Sequence, residues 1–212
     1  MTATSTVGPF LVYNVRDPKA RRIGALLLGL VFFGIALGLS VEANLGVNPW
    51  TVFHGGLSKN LGITIGTATI FVGAILLLSF PLLKQPLGLG TLLNVVVIGT
   101  VTDLTLFVVP DLTTLPARLA ALAVAPALIG VGSGFYIGAG LGPGPRDGLM
   151  TTLERAGFPV WGARAIVELG ALIIGAILGG NVGWGTVWMA TTVGFWVQFF
   201  LLRLRLDPVS PS

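Results

Sequence analysis

The 212-residue chain contains no cysteine and a single histidine, His54. A disulfide framework, a zinc–thiolate site and a cysteine nucleophile are therefore excluded. With one histidine and no cysteine, metal-dependent or hydrolytic catalysis is not expected. Charge is nearly as scarce: Asp, Glu, Lys and Arg make up 9% of residues, where a soluble domain carries about a quarter. Hydrophobic residues reach 54%, and the mean hydropathy is +0.93. So few charges cannot cover a water-facing surface, and lipid is the expected solvent. No GxxxxGK[ST], HExxH or GxSxG motif occurs, so neither a phosphate loop nor these hydrolytic arrangements are present. No metal site, cofactor or enzymatic activity is expected. The 12 Lys and Arg against 8 Asp and Glu give a pI near 10.1. They form no dense basic face, so nucleic acid is not expected as a partner. The opening MTATSTVGPFLVYNV lacks the basic-then-apolar layout of a cleaved signal peptide, and the first membrane helix is expected to act as an uncleaved insertion signal.

What the chain has is apolar length. A hydrocarbon core about 30 Å thick needs roughly 20 apolar residues per helical span. Six stretches qualify: 22–42, 63–83, 89–109, 117–139, 160–179 and 184–203. With the N-terminus inside, the inner ends and loops hold Arg16, Lys19, Arg21, Arg22, Lys84, Arg146, Arg155, Arg164, Arg203 and Arg205, and the outer loops hold Lys59 and Arg118. This positive-inside bias predicts a multi-pass protein with both termini cytoplasmic.

Two polar segments do not read as spans: 44–61 (NLGVNPWTVFHGGLSKNL) and 140–157 (GLGPGPRDGLMTTLERAG). Each opens on Gly and Pro and then turns helical. Asn48 suits an N-cap and Pro49 the first helical position, and Gly144 and Pro145 are placed alike. Lys59 and Arg155 fall at the far ends, where the helix dipole favours a cation. Short helices are predicted over 48–60 and 144–156.

The two segments correspond at a shift of 96 residues. Gly34, Gly38, Ala43, Leu45-Gly46, Pro49 and Leu57 match Gly130, Gly134, Ala139, Leu141-Gly142, Pro145 and Leu153. After a one-residue slip, Gly88-Leu-Gly-Thr91 matches Gly183-Trp-Gly-Thr186. A repeat of three spans, an odd number, inserts its second copy upside down. The expected fold is thus an all-α polytopic membrane protein of six transmembrane helices in two inverted three-helix repeats, each with a short re-entrant or interfacial helix. Its parts are a cytoplasmic segment 1–21, repeat one over 22–110, repeat two over 111–204 and a cytoplasmic tail 205–212. Inverted repeats with interrupted helices recur in transporters, with the site at the repeat interface.

GVNPWTVFHGGLSKNLGITIGT, GLGTLLNVVVIGTVTDL and GLGPGPRDGLMTTL resemble the YczE/YyaS/YitT-like family of bacterial membrane proteins, the YczE branch most closely. The resemblance covers about residues 22 to 203 and implies a polytopic protein of the bacterial inner membrane. Members of this branch often carry an Asp after the first Pro-Trp, where this chain has Thr51. A role needing an acid in both repeats is therefore in doubt.

Several polar residues have two readings each. Arg146 either binds an anionic group, with the free N–H groups of the short helix, or pairs with Asp147 to fix a hairpin at the interface. Asp147 would orient Arg146 or bind a coupling cation. Asp147, Thr151 and Glu154 form a polar stripe, matched by Thr51, Gly55 and Ser58; Trp50, Phe53, Leu57, Leu149 and Leu153 lie on the opposite side. That pattern suits a re-entrant helix and one lying flat in the headgroups. His54 is a proton carrier or a plain hydrogen-bonding residue, and Trp50 a ligand-stacking ring or an interfacial anchor. Asp103 lies deep in the third span, where an acid costs about 2.5–3.5 kcal/mol on insertion scales. It serves coupling or is a neutral acid bonded to Thr100, Thr102 or Asn94; its counterpart is Gln198. Arg164 and Glu168, at i and i+4, can pair, and Glu168 is the third candidate coupling residue. Gly130, Gly134, Gly138, Gly170, Gly175 and Gly179 form small-residue faces for a compact bundle or a homodimer.

The expected function is a carrier or permease for a small, anionic solute bound at the repeat interface. Arg146, Asp147, Trp50, Thr51, His54 and Thr151 would contact solute; Asp103, Asp147 and Glu168 would serve a coupling ion or proton. Two alternatives stand beside it: a substrate-binding membrane subunit needing an energising partner, and a non-transporting assembly or regulatory protein.

Overall fold

The computed structural model describes residues 19–204, which form eight α-helices. They are α1 (Lys19–Ala43), α2 (Pro49–Leu61), α3 (Ile65–Ser79), α4 (Leu89–Val108), α5 (Leu115–Gly138), α6 (Pro145–Arg155), α7 (Val160–Ile177) and α8 (Trp184–Leu204). Residues 1–18, with Arg16, and the tail 205–212, with Arg205, lie outside the described residues.

Helices α1, α4, α5, α7 and α8 are long and apolar enough to cross a bilayer. The expected span over 63–83 is the one that differs. Its helix stops at Ser79, because Pro81 has no N–H and its ring crowds the carbonyl four residues back. The chain turns there, with Phe80 N–H donating to the Leu77 carbonyl at 3.1 Å and Lys84 at φ +52°. The 15 residues of α3 rise about 22 Å at 1.5 Å each, short of a hydrocarbon core. Spanning length is reached only with α2, from which α3 is bent by 108°. By length and composition the described residues thus hold five candidate spans, or six with the bent pair counted as one.

The short helices start as their sequences dictate. Asn48 Oδ1 accepts the Thr51 N–H at 3.0 Å, and α2 ends at Gly62, whose φ of +66° suits glycine. In α6, Pro145 takes the first position and Asp147 Oδ2 accepts the Gly144 N–H at 3.0 Å.

α1 and α5 cross through glycines. A Cβ on Gly29 would stand 2.6 Å from the Gly132 carbonyl oxygen, and one on Gly132 would stand 2.7 Å from that of Gly29. Only hydrogen fits there, and Leu26, Leu30, Leu37, Ile129 and Met189 close the core around the crossing. The two helices run antiparallel, so the start of each lies beside the end of the other. Arg22 of α1 donates from Nε and Nη2 to the Ala139 and Gly140 carbonyls, both at 2.9 Å. Arg118 of α5 does the same to Ala43, at 2.6 Å, and to Asn44.

Further contacts recur in pairs. Lys59 Nζ donates to the Gly179 carbonyl past the end of α7 at 2.7 Å; Arg155 Nη1 donates to that of Lys84, past the end of α3, at 3.1 Å. Gly90 N–H reaches the Leu141 carbonyl at 2.8 Å, and Gly185 N–H that of Leu45 at 2.7 Å. Gly34 and Gly38 of α1 admit Val101 and Thr105 of α4, while Gly130 and Gly134 of α5 admit Trp196 and Phe200 of α8. Of the glycines named in the sequence, Gly130, Gly134 and Gly175 are filled within the chain, Gly175 against Val52 and Phe53, whereas Gly170 and Gly179 meet nothing within 4 Å.

One seam breaks the pattern. Gly66 of α3 and Gly99 of α4 touch backbone to backbone, whereas their counterparts Gly162 and Gly194 have no such neighbour. α7 consequently lacks the packing against α8 that α3 makes against α4.

Arg118→Ala would leave two helix-end carbonyls without their charged donor. Hydrogen bonds to charged groups contribute roughly 1.5–3 kcal/mol each, so unfolding in detergent micelles should show a loss of at least that size. Arg118→Lys should recover part of it. An unchanged unfolding curve for Arg118→Ala would show that this cap contributes nothing.

Candidate functional site

The first turns of α2 and α6 meet through Trp50 and Arg146. Trp50 is the second residue of α2 and Arg146 the second of α6, and they occupy counterpart positions at the shift of 96. The Arg146 guanidinium carbon stands 5.0 Å from the Trp50 ring centroid, within range of a cation–π contact. Among the described residues, no hydrogen bond reaches the Arg146 side chain. The expected Arg146–Asp147 pair is absent. Asp147 Oδ2 instead accepts the Tyr136 hydroxyl at 2.9 Å and the Gly144 N–H at 3.0 Å. Asp147 thereby ties α5 to α6 and leaves the guanidinium free.

His54 is 1% exposed and lies one turn beyond Trp50. Its Nδ1 is 2.9 Å from Thr69 Oγ1, and the same hydroxyl donates to the Ile65 carbonyl at 2.9 Å. Thr69 has one proton, so with that proton on Ile65 it must accept from His54. Nδ1 then carries hydrogen, and Nε2 of the neutral ring is an open acceptor.

His54, Thr69, Asn94 and Arg146 line a cavity of about 20 Å³, walled on its apolar side by Val72, Leu76, Val95 and Ile98. Such a space holds about one water or a ligand group of that size. Beside it are two buried polar atoms without hydrogen-bond partners, Trp50 Nε1 and Thr51 Oγ1, on side chains 8% and 2% exposed. Orphaned buried polar atoms are uncommon in folded proteins, and two on consecutive residues mark this turn.

The other candidates are elsewhere or otherwise engaged. Thr151 Oγ1 donates to the Asp147 carbonyl of its own helix at 2.9 Å. Glu168 is paired with Arg164 at 2.9 Å. Asp103 accepts the Thr64 hydroxyl and, at 2.7 Å, the Gly66 N–H, so it caps the start of α3. Its expected partners do other things: Thr100 and Thr102 bond to carbonyls of their own helix, and Asn94 lines the cavity. Gln198 is exposed on α8. The sequence reading missed Thr69 and Tyr136 as partners of the site. Both sit in spans whose polar residues carry no local sign of which helix they face.

A family model described as "Family of unknown function (DUF6198)" matches residues 20–201. The chain belongs to that family. Among its relatives is an uncharacterized protein of Haemophilus influenzae, 37% identical over 192 residues, covering 90% of this chain and 88% of the relative. Two Bacillus subtilis proteins also match. The uncharacterized membrane protein YczE is 35% identical over 82% of each chain, and the uncharacterized protein YyaS is 27% identical over 82% of this chain and 89% of its own. The chain is thus a YczE-like membrane protein, as its three motifs led us to expect. No solved structure matches.

The orphaned hydroxyl yields a test. Thr51→Val keeps the side-chain shape and removes a buried group whose desolvation costs about 1–3 kcal/mol. The variant should unfold at the same or a higher temperature than the parent in detergent. A clear fall would mean that Thr51 Oγ1 has a partner after all.

Proposed function

We propose that this YczE-like protein is a carrier or permease for a small anionic solute in the bacterial cytoplasmic membrane, and not an enzyme. One observation carries the reading: Trp50 and Arg146, second residues of two short helices, meet beside a cavity that His54, Thr69, Asn94 and Arg146 line on its polar side. Short helices that converge on a mid-protein site are the arrangement transporters use for a charged solute. A guanidinium that stacks on Trp50 and has no hydrogen-bond acceptor among the described residues favours an anion there.

The paired contacts support an inverted duplication. Helices α1 and α5 are antiparallel counterparts, so a two-fold axis relating them runs across the helices and lies in the membrane plane. Under this reading α1–α4 and α5–α8 are the two repeats, α2 and α6 re-enter from opposite sides, and both termini are cytoplasmic. Asp147, Trp50, Thr51 and His54 complete the solute site with Arg146, and Thr151 holds the polar face of α6. Asp103 and Glu168, as engaged as they are, serve as positioning residues. In a homodimer, Gly170 is the open small-residue position on α7.

The unequal seams support two alternating states. Closure of α3 on α4 with α7 apart from α8 is one state, and the reverse is its partner. The exchange would open the site to one side of the membrane and then the other.

Uptake of a labelled panel of small organic anions into proteoliposomes tests the carrier reading. Arg146→Gln should lower uptake at least tenfold. A Cβ on Gly194 would meet no neighbouring atom within 4 Å, so Gly194→Leu should fold normally yet block closure of the second seam and depress uptake, while Gly170→Leu should not. Well-folded protein silent across the panel, or full uptake by Arg146→Gln, would overturn the proposal.

A further inference from the structure

Arg146 and His54 line the same cavity with bonding capacity unused on both. One face of the guanidinium is covered by Trp50 at 5.0 Å, while its edge N–H groups have no acceptor. The His54 ring is held through Nδ1 by Thr69, which leaves Nε2 as its only open position. Asn94 adds an amide, and Val72, Leu76, Val95 and Ile98 form the remaining wall.

We propose that this cavity takes a small monocarboxylate together with its proton, the carboxylate on Arg146 and the proton on His54 Nε2. The inference deepens the carrier reading and rests on it for its role in transport, but the binding itself needs no transport.

Three features select the ligand class. A planar guanidinium fork with free edges matches a carboxylate in two parallel hydrogen bonds. A cavity of about 20 Å³, room for about one water, must widen to take even formate or acetate, so longer acids do not fit, and its aliphatic wall suits a methyl group or hydrogen better than a further polar oxygen. A negative charge placed beside a buried neutral imidazole favours the protonated ring.

α3 carries no titratable residue. On α7, Arg164 and Glu168 are paired. On α6, Asp147 is engaged by Tyr136 and Gly144, and on α4, Asp103 is engaged at the start of α3. On α2 itself, Lys59 donates to Gly179. As the acid binds, its O–H bond breaks while an N–H bond forms at Nε2, and the carboxylate electrons remain on oxygen against Arg146. Release reverses the step, so the pair enters and leaves as a neutral acid.

Having one histidine makes the test direct. The full chain, labelled with ¹⁵N-histidine and held in lipid nanodiscs, gives one imidazole to follow by NMR across a pH titration. Acetate or formate should move that signal toward imidazolium and raise its midpoint by about one unit, a tenfold gain in proton affinity. Chloride should not. Arg146→Gln should abolish the carboxylate effect. Arg146→Lys, which keeps the charge and loses the fork, should weaken it, and serves should the glutamine variant fail to fold. An imidazole indifferent to both carboxylates, or equally responsive to chloride, would overturn the proposal. Lost uptake with the imidazole response intact would remove the carrier reading and leave the site standing; uptake without the response would do the opposite.

Discussion

A helix that ends away from water must find donors for its last carbonyls, and here those donors are cations from the other half of the chain. Arg22 serves the end of α5, Arg118 that of α1, Lys59 that of α7, and Arg155 the turn after α3. Each joins a positive side chain to the negative end of a helix dipole, which is favourable twice over, by hydrogen bond and by charge. Each of these four cationic caps crosses between halves, so for these helix ends neither half suffices alone. The relative placement of the two halves follows from that requirement.

Close approach depends on glycine. Gly29 and Gly132 let α1 and α5 touch at their backbones, and the pairs Gly34 with Val101 and Gly130 with Trp196 seat α4 and α8 on either side. The counterpart turns at Trp50 and Arg146 are then brought face to face. The cavity is therefore a consequence of how the helices pack, and its chemistry follows from which residues occupy the second position of each short helix. Two different residues stand at these counterpart positions, an indole and a guanidinium, so the meeting is attractive. Two arginines there would repel.

Much of this was legible in the residues. Apolar run lengths located five spans to within a few residues, Asn48-Pro49 and Gly144-Pro145 marked the short helices, and i, i+4 spacing paired Arg164 with Glu168. The recurrence of Gly, Pro and GxGT pointed to matching halves. The third span misled because apolar character continues through Pro81, and hydropathy does not register a missing N–H. Arg22 and Arg118 were read as signs of orientation only, and Lys59 also as a cation for the end of its own helix, since a cap 117 or more residues away in the chain, as for Arg22, leaves no local signature. Asp103 read as a coupling residue or a neutral acid bonded within its own span because depth along a span says nothing of the helix end lying beside it.

By itself the sequence determined the solvent, the helix inventory and the membership of a YczE-like family, because these depend on composition, local geometry and motif order. Only the tertiary structure decided the partners: that Asp147 bonds Tyr136 and leaves Arg146 free, that Asp103 caps α3, and that one seam is closed while its counterpart is open. Partners are a property of helix rotation and crossing. Those depend on side-chain fit between segments far apart in the chain, which no single stretch of sequence encodes.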